Sequence, residues 1–143
     1  MIKIRKAHAK DLDKIMEIWL ETNISAHSFI SSLYWKNNFN KAKNGIEKAN
    51  VTVATDNDQI VGFIGLVQNY IAGLFVQKNY QNQTIGTKLL NHAKETNDSL
   101  LLSVYVKNTA AIKFYKHNGF RSAAHDTDQN TGQAEINMIW NKK

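Results

Sequence analysis

Between residues 51 and 76, three runs rich in β-branched and apolar residues follow one another with only short polar breaks. No other stretch constrains the fold as much. Residues 51–55 and 59–67 flank Asp56-Asn57-Asp58, whose side chains suit tight turns, so the pair reads as a hairpin. Residues 70–76 continue as another strand, with Gly73 a candidate bulge.

The segments on either side of these strands carry different periods. Residues 2–5 alternate apolar and polar side chains and read as a short strand. Asp11 or a neighbour can cap a helix whose Leu12, Ile15, Trp19 and Leu20 share one face. Residues 29–49 form a less regular helical region, with Phe29, Leu33, Tyr34 and Trp35 grouped near its start. A polar loop over 77–83 leads into a helix from about Thr84 that carries Ile85, Leu89, Leu90 and Ala93. Residues 100–106 are almost unbroken apolar sequence, as expected of a buried central strand. A helix over 109–118 and a closing pair of strands over 120–125 and 133–140 complete the chain. The order β-α-α-β-β-β-α-β-α-β-β mixes strands and helices on one sheet and assigns an α+β fold, a three-layer α/β arrangement.

A length of 143 residues fits a single domain over 1–143, large enough to bury a core without a disulfide or metal staple. The absence of cysteine excludes a thiol nucleophile and any cysteine-based zinc site, and no metal is expected. Apolar runs such as 60–67 fall far short of the roughly 20 residues that span a bilayer, and polar residues interrupt the first fourteen positions. The expectation is a cytoplasmic protein with no membrane partner. The net charge of +6 is concentrated in residues 78–121, which alone carry +5. A local positive field suits an anionic ligand. Only Arg5 and Arg121 are arginines, and that scarcity weighs against a nucleic-acid partner.

Two stretches carry the candidate chemistry. In the first, a strand over 74–76 enters a polar loop and then a helix with Gly86 in its first turn. The unpartnered amides and dipole of a helix start form a phosphate cradle. In the second, Asn108 is a natural N-cap, Gly119 a natural left-handed terminator, and Phe120 is placed to fold back on the last turn. Ala111, Phe114 and Tyr115 share a helix face, so the Tyr115 phenol is either a core hydroxyl or a proton donor and acceptor in a cleft.

Together these stretches resemble the GNAT superfamily of acyl-CoA-dependent N-acetyltransferases. Gln81, Thr84 and Gly86 stand in the marked places of its Gln/Arg-x-x-Gly-x-Gly/Ala cofactor motif. Asn108, Ala111, Phe114, Tyr115, Gly119 and Phe120 match its later Asn-x-x-Ala-x-x-Phe-Tyr-x-x-x-Gly-Phe motif. The front half, from Ile18-Trp19-Leu20-Glu21 through His27-Ser28-Phe29-Ile30 to Tyr34-Trp35, is similar to small bacterial members of the YiaC/YjaB type, some described as protein-lysine acetyltransferases.

The resemblance implies a mixed, mostly antiparallel sheet with splayed central strands, flanked by helices. It also implies an enzyme that moves the acetyl group of acetyl-CoA to a primary amine by direct attack. Leu74, Phe75 and Val76 would pair with the pantetheine arm, and the Val76 N–H would hold the oxyanion. Amides of Gln81, Asn82, Gln83, Thr84, Ile85, Gly86 and Thr87 would hold the pyrophosphate. Asn108 would contact the pantetheine region beside Ala111, and Tyr115 would reprotonate the departing thiolate. Lys78, Lys88, Lys113 and Lys116 would surround the anionic cofactor's path.

Two positions depart from the family pattern. Thr84 stands where glycine is usual, so its side chain either bonds a phosphate oxygen or crowds it. Ser103 stands where several relatives carry a glutamate base. A water relay, His27 or Glu135 would then take the amine proton. On the acceptor side, His27, Tyr34 and Trp35 offer an apolar, cation-attracting wall, with the packing role of the two aromatics equally open. The basic segment 34–50 weighs against polycationic acceptors, leaving protein lysines, N-termini or small amines. The alternatives are a non-catalytic acyl-CoA-binding module, a nucleic-acid-directed protein, and an acetyltransferase acting on charged tRNA. Monomer and homodimer both stay open, with residues 134–140 able to pair with a second copy.

Overall fold

Strands β2 (Asn50–Asp56), β3 (Gln59–Val67) and β4 (Tyr70–Val76) form an antiparallel meander in the computed structural model, which describes residues 1–81 and 84–143. Asn57 and Asp58 take φ of 49° and 67°, the left-handed pair that matches a two-residue hairpin turn to the strand twist. The register passes from Gly65↔Gly73 to Leu66↔Ile71, so the bulge falls at Ala72, beside the glycine expected to mark it.

Strand β1 (Ile2–Lys6) extends the meander along β2. On the other side β5 (Ser99–Tyr105) runs parallel to β4, followed by β7 (Ala134–Asn141) and β6 (Arg121–Thr127), both antiparallel to their neighbours. The order is β1-β2-β3-β4-β5-β7-β6, a seven-stranded and mostly antiparallel sheet. β7 is hydrogen-bonded on both sides, so residues 134–140 offer no free strand edge to a second copy. The outer strand is β6, and all its residues are exposed.

Helices cover both faces. α4 (Ile85–Glu95) and α5 (Thr109–His117) pack on one, where Ile85, Leu89, Leu90 and Tyr115 join Leu100, Leu102 and Met138 in the larger core. α1 (Leu12–Ala26) and α3 (Phe39–Lys48) pack on the other, around Ile15, Ile18, Val53 and Phe63, with α2 (Ser32–Asn37) beside them. The irregular helical region is therefore two helices. They part at Asn38, whose backbone leaves the helical region at φ −100° and ψ 6°, while its side chain and its N–H both donate to the Tyr34 carbonyl, at 2.7 and 3.1 Å. Asp11 does not cap α1 with its side chain. Its carboxylate instead accepts from Arg5 Nη1 at 2.8 Å and from the His8 N–H at 2.7 Å, tying the end of β1 to the start of α1. Among the described residues no helix is long and apolar enough to cross a membrane.

Candidate active site

The parallel pair β4/β5 is joined only near the start of β4. Leu101 N–H donates to the Asn69 carbonyl at 3.0 Å, and Tyr70↔Leu101 is the one register pair among the described residues. Farther along, Gln77 N–H donates to the Val61 carbonyl at 2.8 Å. Bonding direction alternates along an antiparallel ladder, so Leu74 and Val76 turn their backbone polar groups away from β3 and toward the unpaired side. The Val76 carbonyl there accepts Gln81 Nε2 at 2.9 Å. A cleft of about 510 Å³ lies at this opening. Its walls come from both faces of the sheet: Thr22, Ala26 and His27 from the α1 side, and residues of α4 and α5 from the other.

Leu74, Phe75, Val76, Gln81, Thr84, Ile85, Gly86, Thr87, Asn108, Ala111 and Tyr115 all line this one cleft. Asn82 and Gln83 lie outside the described residues. The Lys88 N–H bonds the Thr84 carbonyl at 3.0 Å, so the amides of Ile85, Gly86 and Thr87 precede the helical ladder and stay available to an anion. The Gln81 N–H, by contrast, is taken by the Lys78 carbonyl at 3.3 Å, closing the 3-10 turn Lys78–Tyr80. Thr84 sits at φ 67°, a left-handed conformation in which a β-branched residue is strained, and its side chain does not cap α4. Gly86 faces Phe114: a Cβ there would stand 3.0 Å from the ring's Cζ. None of Lys78, Lys88, Lys113 and Lys116 lines the cleft; all four are exposed, and their charge acts as a field rather than as contacts.

Helix α5 is framed at both ends by its own sequence. Asn108 Oδ1 accepts the Ala111 N–H at 3.2 Å. At the other end Gly119 has φ 91°, the Phe120 N–H reaches the Tyr115 carbonyl at 3.0 Å, and the Gly119 N–H reaches the Lys116 carbonyl at 3.1 Å, a Schellman closure. The Phe120 ring packs on that of Tyr115 at 5.4 Å. These contacts hold Tyr115 buried against the core while its side chain borders the cleft. Its hydroxyl has no hydrogen-bond partner among the described residues. Burial pushes the phenol well above its ordinary value, with a smaller contribution from Tyr70.

His27 ends α1 inside the same cleft. Its ring stacks on Trp35 at 5.1 Å, and Phe29 and Tyr105 meet it edge-on. Burial lowers its pKa, partly offset by its bond to the Asn23 carbonyl. Tyr34 and Trp35 do not line the cleft: Trp35 is buried behind His27, and Tyr34 packs against Trp35. Ser103 also lies outside it, with Oγ donating to Asn137 Oδ1 across β5 and β7 at 2.7 Å.

Beyond His27 and Tyr105 lies an acidic corner. The Tyr105 hydroxyl donates to Asp128 Oδ2 at 2.5 Å. Burial alone would raise Asp128, but bonds from Tyr105, the Asn130 amide and Thr131 hold its carboxylate below the ordinary value. Glu135, opposite both Tyr105 and Asp126 in the ladders, is pushed upward by burial and then by Asp128 and Asp126. Glu135 is not part of the cleft wall. Among the described residues no group of three side chains could hold a metal ion.

Thr22, Ala26, Tyr80, Ala110, Phe114 and His117 also line the cleft without having been singled out as site residues from the sequence. Phe114 stood in the second motif and could have been found there. Tyr80 carries no local signal, because its hydroxyl is anchored by Asp56 Oδ2, at the end of β2, at 2.9 Å.

Residues 47–122 match the acetyltransferase (GNAT) domain family. The chain is 30% identical over 119 residues to the peptidyl-lysine N-acetyltransferase YiaC of Escherichia coli K12, covering 82% of each. It is 30% identical to the peptidyl-lysine N-acetyltransferase YjaB of Salmonella typhimurium, covering 97% of this chain and 91% of that one. The crystal structure of PaiA N-acetyltransferase from Thermoplasma acidophilum, in complex with coenzyme A, has the same fold. Its TM-score is 0.83 at 23% identity, with 99% of each chain covered.

Proposed function

The chain belongs to the GNAT family of acetyltransferases, and from that premise we propose that it transfers the acetyl group of acetyl-CoA to the ε-amine of a protein lysine. One observation carries the reading: the unpaired edge of β4, the open amides at the start of α4 and the Tyr115 hydroxyl, without a partner among the described residues, all border a single cleft. An extended, phosphorylated thioester asks for all three: a proton donor at its sulfur, a strand edge along its arm and amides at its phosphates. The names of YiaC and YjaB point to peptidyl lysine as the acceptor, and coenzyme A is the ligand of the Thermoplasma structure.

Acetyl-CoA supplies an acyl group held as a thioester, which a neutral amine can attack directly. The backbone of Leu74 and Val76 faces the unpaired side of β4 and would bind the extended arm as an added strand does. The Val76 N–H would donate to the carbonyl oxygen as negative charge gathers on it. Ile85, Gly86 and Thr87 would hold phosphate oxygens with backbone amides and the helix dipole. Asn108 would orient the arm near Ala111. Tyr115, kept protonated by burial, would give its proton to the sulfur as the carbon–sulfur bond breaks.

On the acceptor side, the carboxylates of Asp126, Asp128 and Glu135 give this end of the sheet a negative field that favours an incoming lysine. The Ser103 hydroxyl is committed to Asn137; the proton released by the amine would leave through water at the cleft mouth, and the Tyr115 phenolate would regain one by the same route.

The test is a calorimetric titration with acetyl-CoA, followed by mass spectrometry of lysine-containing peptides and folded proteins incubated with both. Micromolar binding and a gain of one acetyl group on lysine are the expected outcome. Binding without transfer to any amine would replace this reading with a silent acyl-CoA binder. No binding at millimolar cofactor would overturn it altogether.

A further inference from the structure

A continuous run of donors and acceptors crosses the cleft from α1 to α5. The Ala111 N–H donates to Asn108 Oδ1 at 3.2 Å, which fixes that side-chain amide and turns its Nδ2 outward. Asn108 Nδ2 then meets His27 Nε2 at 3.3 Å, between residues 81 positions apart in sequence. The other ring nitrogen, His27 Nδ1, lies 3.0 Å from the Asn23 carbonyl, which can only accept. Both ends of the run demand the same assignment: a proton on Nδ1 and a lone pair on Nε2. Packing holds the ring in this pose, with Trp35 stacked on one face and Phe29 and Tyr105 against its edges.

From this arrangement we infer that His27 is a positioning residue: its Nε2 acceptor, together with the Ala111 N–H, holds the Asn108 amide in place and so couples the acceptor-wall helix α1 to the cofactor helix α5. The inference rests on the cofactor reading above, in which Asn108 contacts the pantetheine arm. It goes further by giving Asn108 a partner on the opposite wall and the pair a dependence on protonation. A proton on Nε2 would set a donor against the donor Nδ2. Relief by turning the Asn108 amide over would present Nδ2 to the Ala111 N–H and break the cap of α5.

The groups facing His27 do not compensate for that proton. Asn23 lies on its own helix, Trp35 comes from α2, Phe29 precedes α2, Asn108 caps α5, and Tyr105 comes from β5. Tyr105 is a neutral phenol whose hydroxyl is turned to Asp128. Lys107 stands over the far ring of Phe29 at 5.7 Å and adds a nearby positive charge. The uncharged form of His27 is the one this site holds.

The experiment is a double-mutant cycle on acetyl-CoA affinity with His27→Phe, Asn108→Ala and the double variant, measured by calorimetry from pH 5 to pH 8. Phenylalanine keeps a flat ring against Trp35 and removes both nitrogens. At pH 8, His27→Phe is expected to weaken binding about five- to tenfold in the parent, the worth of one hydrogen bond, and to have no effect once Asn108 is alanine. The parent should also lose affinity at acid pH, below the ordinary histidine value because burial lowers this ring, and His27→Phe should not show that loss. An equal cost of His27→Phe in both backgrounds, or the same acid limb in parent and variant, would overturn the inference.

A second readout needs neither cofactor nor variant. Nitrogen-15 shifts of the His27 ring in the parent protein should show Nδ1 protonated and Nε2 bare, with the Asn108 side-chain amide shifting as the ring titrates. The opposite tautomer, or an Asn108 signal indifferent to that titration, would overturn the inference. If acetyl-CoA does not bind at all, the functional reading fails, while this measurement still decides the His27–Asn108 link.

Discussion

Gly86 and Phe114 touch as backbone against ring: a Cβ added at position 86 would stand 3.0 Å from Cζ and 3.2 Å from Cε1 of the phenyl ring. The glycine in the first turn of α4 therefore serves the contact between α4 and α5 as well as access to the cleft, and Phe114 itself borders that cleft. Gly86→Ala should push the ring aside, costing about 1–3 kcal/mol as overpacking does. It should also lower acetyl-CoA affinity, because the displaced ring enters the cleft. Urea unfolding and calorimetry on the same sample check both; unchanged stability would mean that α5 yields freely.

Thr84 bears a β-branched side chain at φ 67°. A left-handed conformation costs a residue with a Cβ about 1–2 kcal/mol, while glycine loses roughly 0.5–1 kcal/mol more chain entropy on folding. Thr84→Gly should therefore leave the protein as stable or up to about 1.5 kcal/mol more stable, as measured by denaturant midpoint. Since the side chain is exposed and does not cap α4, Thr84→Ser, which keeps the hydroxyl and the Cβ, should resemble the parent. A clear loss of stability in Thr84→Gly would show that the threonine side chain makes a compensating bond.

Tyr115→Phe removes a hydroxyl that has no partner among the described residues. Stability should change by less than about 1 kcal/mol, while kcat falls about 10²- to 10⁴-fold, the range for losing a general acid. Steady-state kinetics on a lysine peptide would show this; an unchanged kcat removes Tyr115 from the reaction. Because burial raises this phenol, its neutral form is favoured in the fold. Its contribution to stability is complete below the unfolded value near pH 10 and is lost as pH rises above it.

Asp11 holds the start of α1 to the end of β1. The Arg5 guanidinium, bonded at 2.8 Å, is the main reason its carboxyl lies below the ordinary value, with the His8 N–H adding to it against the effect of burial. That stability is present above the unfolded carboxylate value and is lost as pH falls through the lower folded one. Asp11→Ala should destabilise the protein by about 1–3 kcal/mol and remove part of the acid limb of its stability profile, measured by thermal melts between pH 3 and pH 7. Identical acid limbs in parent and variant would assign the limb to other carboxylates.

Much of the element order was legible because its causes are local. The hairpin at Asn57 and Asp58 needs two residues that tolerate left-handed backbone. The frame of α5 needs Asn108, Gly119 and Phe120 at fixed offsets from one helix. Such features are settled within a turn or a ladder spacing, so the residues that cause them are neighbours in the chain. The two motifs were legible for the same reason, and Gln81, Thr84 and Gly86 of the first meet Asn108, Ala111, Phe114 and Tyr115 of the second on one cleft. The division of residues 29–49 into two helices was less visible, since the backbone turns out of the helix at Asn38 with no proline or glycine there to mark it.

What the chain alone determined is the order of the strands, most of the helices, and the two strand-or-loop-to-helix junctions that carry the motifs. Only the tertiary structure decided which surfaces meet. It placed Phe114 against Gly86, Tyr80 on Asp56, Trp35 behind His27 rather than in the cleft, β6 rather than β7 at the sheet edge, and His27 on Asn108. Periodicity and capping record the environment of one element. Contacts between elements follow from how the parallel β4/β5 pair splays and how the helices close over it, and no spacing within either element encodes that crossing.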